Sequence, residues 1–276
     1  MSAQPHRAGF AATILIAAAH STARIARMRW RVPILATLGV LGIAAWLVGA
    51  LAPDRFSGRT LYCLLSWWLV TSVVVPWVTL FLAVQLVHGA LEDRTFQYLF
   101  LRPVGRVPML LGNWLSLSVI TAGLGSVFAW GLCGVLALHE QRWPDGVEWS
   151  LATNFTLANV LVAVAHAAVG VLFAVTFRRP LVWAAFFVVG LQMLTANLPV
   201  SAGLRRLTIT DPVRRLVMDR IEPDAQLAQA LWPAEAVVTE DRIGAPVWDL
   251  CCFLAVTMIV AAWIHARAEY DGRARD

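Results

Sequence analysis

Six stretches of this chain stay apolar for about 20 residues or more, separated by polar, arginine-bearing connections. No other feature restricts the fold as much. A hydrocarbon layer about 30 Å thick is crossed by roughly 20 residues rising 1.5 Å each. Backbone amides in lipid find partners only within their own segment, so each crossing is predicted to be an α-helix. The expected spans are 33–52, 61–90, 107–138, 155–177, 181–200 and 245–266. The fold class that follows is an all-α integral membrane protein, one transmembrane domain over 1–276. The second stretch is long enough to tilt or to project beyond the lipid, and Pro76 within it is expected to kink the helix. The composition agrees: 59% of residues are hydrophobic and 14% charged, against about 45–50% and about 25% in soluble domains.

Charge placement sets the expected orientation. All 22 basic residues are arginine, which excludes a P-loop lysine, a Schiff-base lysine or a lysine general base in this chain. Residues 1–32 carry Arg7, Arg24, Arg27, Arg29 and Arg31 and no acid. Alternate connections add Arg94, Arg102, Arg106, Arg178, Arg179, Arg267, Arg273 and Arg275 to the same side. Both termini are therefore expected in the cytoplasm, with the chain multi-pass in the cell (plasma or inner) membrane. The long 201–244 connection, with six arginines against seven acids, is placed outside, since long loops translocate largely regardless of charge. Its two short helical patterns, one opening at Asp211-Pro212 and one capped by Asp224, are expected to lie as a cap on the external membrane surface, the alternative being contact with a periplasmic or extracellular partner. The basic excess is accounted for by the bilayer, and no nucleic-acid partner is called for. Cys63, Cys133, Cys251 and Cys252 all fall in apolar runs and read as small core residues rather than as disulfides or metal ligands.

The segment 8–32 is weighed between a signal peptide and an amphipathic helix. Phe10, Ile14, Ala18, Ile25, Met28 and Val32 share one helical face, and His20, Arg24, Arg27 and Arg31 another. A signal needs no such periodic face, so the reading is an interfacial helix with arginines toward anionic headgroups.

Between the second and third stretches, Glu92 and Asp93 open a short predicted helix, 91–106, where negative charge suits the dipole. Phe96, Leu99 and Phe100 supply an apolar face, and Tyr98 adds a further aromatic. Pro103 ends the helix by pushing residue 102 out of helical geometry. An aromatic helix facing water needs a partner or a membrane surface.

This stretch resembles the cytoplasmic motif of the type-2 ABC transporter permeases. Their pattern runs acidic residues, Gly-Thr-Leu-Glu, leucines, Arg-Pro-Val-Ser-Arg, then Leu-Leu-Gly-Lys. Thr95 falls eight residues before Pro103, as in the family, and Leu99, Leu101, Arg102, Pro103, Val104, Arg106, Leu110, Leu111 and Gly112 also match. Arg94, Phe96, Gln97, Gly105 and Asn113 depart from the pattern, standing for glycine, leucine, glutamate, serine and lysine. The plan is similar too: an amino-terminal interfacial helix, six spans, and the longest external connection between the fifth and sixth. The resemblance implies a permease subunit of an ATP-driven exporter, without a nucleotide site or cofactor of its own. ATP and Mg²⁺ belong to a separate ATPase that docks on Glu92, Asp93, Thr95, Phe96, Tyr98, Leu99, Phe100, Arg102, Pro103 and Arg106. A second permease copy or a paralogue completes the path. The absence of a glycine-rich loop ending in Lys-Ser/Thr agrees with this division of labour.

Polar residues at membrane depth are functional candidates because burying them is costly. Gln85, His88 and Asp249 lie near span ends and are read as reaching water or a neighbouring helix. His166 and Gln192 lie deeper, and either line a translocation path or bond across helices. Gly123, Gly125, Gly131, Gly134, Ala163, Ala167 and Gly170 are read as packing faces, and Ser116, Ser118 and Thr121 as bonding locally. The alternatives to a permease are an integral-membrane enzyme and a non-transporting anchor for a soluble ATPase. The enzyme lacks a second carboxylate within helical reach of Asp249, a His-x-x-x-His motif and a Gly-x-Ser-x-Gly elbow.

Overall fold

A computed structural model describes residues 9–27, 31–51, 57–88, 105–138, 148–194, 208–221, 227, 231 and 244–267, and the elements among them are all helical. In chain order they are α1 (Phe10–Arg27), α2 (Arg31–Leu51), α3 (Gly58–His88), α4 (Arg106–Ala137), α5 (Trp149–Thr176), α6 (Pro180–Leu194), α7 (Thr210–Ile221) and α8 (Gly244–Arg267). Helices α3, α4, α5 and the Pro246–Arg267 part of α8 are long and apolar enough to cross a membrane. They coincide with the second, third, fourth and sixth expected spans. Helix α2 has 21 residues, whereas α6 is 7 α-helical residues followed by 8 in π geometry.

Local chemistry sets the helix boundaries. Ser57 caps α3, its hydroxyl accepting from the Thr60 amide at 3.1 Å. Pro108 and Pro180 sit in first turns, where a missing amide leaves no bond broken. Pro76 falls at the second residue of an α-helical segment that follows a π-helical stretch, Leu65–Val74. There the Val75 amide donates to the carbonyl of Val70, five residues back. The widened helical turn ahead of Pro76 is one of the adjustments that re-satisfy backbone groups near a proline.

Helices α4 and α5 share the most extensive contact, with α3 and α8 packed on α5 and α1 on α4. Gly125 of α4 allows the closest approach at the centre: an added Cβ would lie 2.7 Å from Val75 Cγ2 and 3.1 Å from Asn159 Cβ. Gly170 plays the same part against Ala83, while Gly123, Gly131 and Gly134 have open space around them within this chain. Two apolar clusters result. One, at the near end, joins Ile25 of α1 to Leu86, Leu110, Leu117 and Val171. The other, at the far end, joins Tyr62, Trp67, Leu136, Leu151 and Phe155 to Val213 and Val217 of α7.

Two amphipathic readings need correction. In α1 the side against α4 is Ile14, Ala17, Ala18, Ser21 and Ile25, and Phe10 points away with Leu15 and Ile16. The first half of α1 is therefore apolar on both sides. Helix α7 is no surface cap. Asp211, Val213, Arg214, Val217 and Ile221 are all buried, and α7 packs on α5 and α8. The second pattern of that connection lies outside the described residues except for Leu227 and Leu231, both buried. Of the cysteines, Cys63 and Cys133 are buried as expected, but Cys251 and Cys252 face outward.

Helix α1 crosses α4 at Gly112, where an added Cβ would lie 2.5 Å from Ala17 Cβ and 2.9 Å from the Ile14 carbonyl oxygen. Replacing Gly112 with leucine is therefore expected to lift α1 off the bundle, at the roughly 1–3 kcal/mol typical of overpacking. Thermal unfolding in detergent should drop, and amide exchange across residues 10–27 should accelerate. Unchanged exchange there would contradict the crossing.

Candidate functional site

Of the ten residues assigned to ATPase docking, Glu92, Asp93, Thr95, Phe96, Tyr98, Leu99, Phe100, Arg102 and Pro103 lie outside the described residues. Arg106 does not. It opens α4, and its Nη1 donates to the Ala266 carbonyl in the last turn of α8 at 3.2 Å. The other flank is held as well, since Arg24 Nη1 donates to the Leu86 carbonyl near the end of α3 at 3.3 Å. Helix α1 is tied in turn to α4, Ser21 Oγ donating to Asn113 Oδ1 at 2.5 Å and Thr22 meeting Ser116 hydroxyl to hydroxyl at 2.9 Å. The ends of α3 and α4 that bracket 89–104 are thus joined through α1, and α4 also to α8. Asn113 and Ser116 serve this seam. Ser116 bonds between helices rather than locally, while Ser118 and Thr121 do bond within α4, to Trp114 and Leu117.

The bundle centre holds a polar node that sequence reasoning passed over. Asn159 of α5 is fully buried. Its amide nitrogen donates to the Gly125 carbonyl of α4 at 3.0 Å, and its oxygen accepts from Thr71 Oγ1 of α3 at 2.9 Å. The Ser66 carbonyl, five residues back in the π stretch, lies equally close at 2.9 Å, so the two acceptors share the single Thr71 proton. One side chain thus stitches three long helices together, with each polar atom paired in the way that low-dielectric surroundings require. The available signal was a polar side chain inside an apolar run, the same signal that singled out His166. A cavity of about 10 Å³, lined by Val74, Val75, Val78, Thr121, Leu124 and Gly125, adjoins the node. It is the size of one water.

Gln192 bonds across elements, whereas the hydrogen bond of His166 stays within its own helix. Gln192, 2% exposed, is a helix cap: its Oε1 accepts from the Ile209 amide at 3.0 Å, the Thr210 amide at 3.2 Å and the Thr210 hydroxyl at 2.9 Å. It satisfies amides at the start of α7 that have no partner within the helix. The Thr208 hydroxyl takes the Asp211 amide in the same way. His166, 1% exposed, bonds its Nδ1 to the Val162 carbonyl at 2.9 Å. A carbonyl only accepts, so Nδ1 carries the proton and, in a neutral ring, Nε2 is an acceptor. Among the described residues Nε2 has no hydrogen-bond partner.

Helix α7 is also bound by charge. Arg214 is 1% exposed, and its guanidinium carbon lies 5.2 Å from the centroid of Trp67 on α3, a cation–π arrangement suited to a desolvated arginine. Asp211, equally buried, pairs with Arg215 Nε at 3.0 Å. At the other end Arg59 Nη2 donates to the Ile221 carbonyl at 2.6 Å and caps the last turn. The sequence pattern sets this helix on the external membrane surface. The bundle places it within hydrophobic packing.

Among the described residues no group of three or more His, Cys, Asp or Glu side chains is placed to hold a metal ion. No protein-family model matches the chain, and no curated protein is similar to it.

Replacing Gln192 with leucine removes three acceptor contacts at once while keeping an apolar side chain of comparable length. Amide exchange at residues 208–213 is expected to accelerate by about tenfold or more, since each interhelical bond in a membrane protein is worth about 0.6 kcal/mol and up to about 1.7. Residues 159–166 of α5 should be unaffected. Unaltered protection of 208–213 would show that Gln192 does not cap α7.

Proposed function

We propose that this chain is the membrane permease subunit of an ATP-driven exporter resembling the type-2 ABC family, with six spans and both termini in the cytoplasm of a cell-membrane protein. The observation that carries the reading is the sequence from Glu92 to Gly112, with its acidic start, the aromatics Phe96, Tyr98 and Phe100, and Arg102-Pro103-Val104, between two long apolar helices. The bracing around it supports the same reading. Arg24 reaches the end of α3, Ser21 and Thr22 reach α4, and Arg106 reaches α8. A push on the 91–106 segment is thereby delivered to several helices at once rather than lost in a loose loop.

In this reading a separate ATPase, holding ATP and Mg²⁺, buries Phe96, Tyr98, Leu99 and Phe100, while Glu92, Asp93, Arg102 and Arg106 set its orientation. A second copy or a paralogue completes the path. The motor's closure moves α3 and α4, and the Asn159 node carries that movement to α5. Helices α2 and α6 are the first and fifth crossings, and α7 closes the external end. The pairing of Asn159 with Gly125 and Thr71 gives the central polar node a structural part that suits a transport role.

Two outcomes follow. With the cognate ATPase co-expressed, Leu99→Arg should abolish its co-purification and the ATP-dependent transport while the permease still elutes as a folded species. Unaltered co-purification contradicts docking at 91–106. In intact cells, a cysteine at position 225 should react with an impermeant thiol reagent added outside, and reaction only after lysis reverses the topology.

A further inference from the structure

His166 Nε2 is a buried acceptor without a donor among the described residues, and it lies at the end of a continuous aromatic ladder. Its ring meets Phe187 of α6 edge-on, 6.0 Å between centroids. Phe187 meets Phe173 of α5 at 5.6 Å, and Phe173 meets Phe177 at 5.4 Å. Phe177 then stacks on Trp183 at 4.7 Å, and Trp183 meets Phe186 at 6.3 Å. The ladder follows the seam between α5 and α6. It runs from the buried middle of α5 to rings that are 46% and 68% exposed at Trp183 and Phe186.

Two independent features converge here. An unpaired acceptor in apolar surroundings leaves a hydrogen bond unmade, which is costly unless a donor arrives. The ladder presents ring faces and edges in the offset and edge-on arrangements that attract further rings. We propose that the α5–α6 seam binds a flat, apolar molecule bearing one hydroxyl or amine donor. Its ring system enters past Trp183 and Phe186 and lies along Phe177 and Phe173. With Phe187 swung aside, its donor bonds to His166 Nε2. The acceptor fixes the donor end, and the ladder selects fused rings over flexible acyl chains. That such a molecule is cargo rests on the permease reading. Its binding does not, because the seam is built by this chain alone.

The test uses the purified full chain in nanodiscs, without ATP or ATPase, against empty nanodiscs in equilibrium dialysis. The probes are 2-naphthol and 2-methoxynaphthalene, which share a ring system but differ in the donor, with 1-decanol as the acyl-like competitor. The expected result is saturable naphthol binding, tighter than the ether by about threefold to tenfold, the worth of one net hydrogen bond, and not displaced by decanol. His166→Phe should level the two naphthalenes. Should that variant aggregate, Phe173→Leu serves instead: it should weaken both naphthalenes while preserving their ratio. Equal binding of the two by the native chain, a preference retained in His166→Phe, or displacement by decanol overturns the proposal. Because no ATPase is present, these failures leave the docking reading untouched, and failure of docking leaves the seam standing.

Discussion

Lipid offers no hydrogen bonds, and this one deficit organises the whole molecule. Every backbone group at membrane depth must be paired within the protein, so the long segments are helical, and several of the polar side chains among them pair or cap in turn. Asn159 is the clearest case. It spends its amide on Gly125 and its carbonyl on Thr71, and that arrangement fixes the mutual register of α3, α4 and α5. Gly125 has no Cβ because Val75 and Asn159 occupy the space. The polar node and the close packing are thus one constraint viewed from two sides.

The same logic explains α7. A short helix that enters the end of a bundle brings unpaired amides and carbonyls with it. Here the amides are met by Gln192 and Thr208, and the last turn by Arg59. Burying Arg214 is tolerated because the face of Trp67 receives its charge. At the opposite end, Arg24 and Arg106 take carbonyls at the ends of α3 and α8, where arginine favourably meets the negative pole of a helix.

The long crossings are legible in the sequence, because few structures apart from a membrane helix accommodate sustained apolarity over about 20 residues. What the sequence does not disclose is direction. A hydrophobic periodicity names a face but not the neighbour it meets, so Phe10 groups with Ile25 on the helical wheel although only Ile25 is buried against the bundle. A balanced mix of arginines and acids marks an external connection, and that is why the helix opening at Asp211 is expected on the membrane surface rather than within the packing. Gln192 and His166 look alike as isolated polar residues in apolar runs. Their roles differ because a loop distant in sequence from His166 returns to Gln192, and no local pattern records that return. Of the ten residues that the resemblance assigns to docking, only Arg106 is among the described residues.

The central claim is that the segment between α3 and α4 meets a motor protein. A photo-crosslinking amino acid at position 99, activated in native membranes, tests this most directly. The account predicts a covalent adduct with a polypeptide containing a Walker A loop, diminished when ATP is withheld or trapped unhydrolysed. Adducts with lipid alone, or with no nucleotide-binding protein, would contradict it.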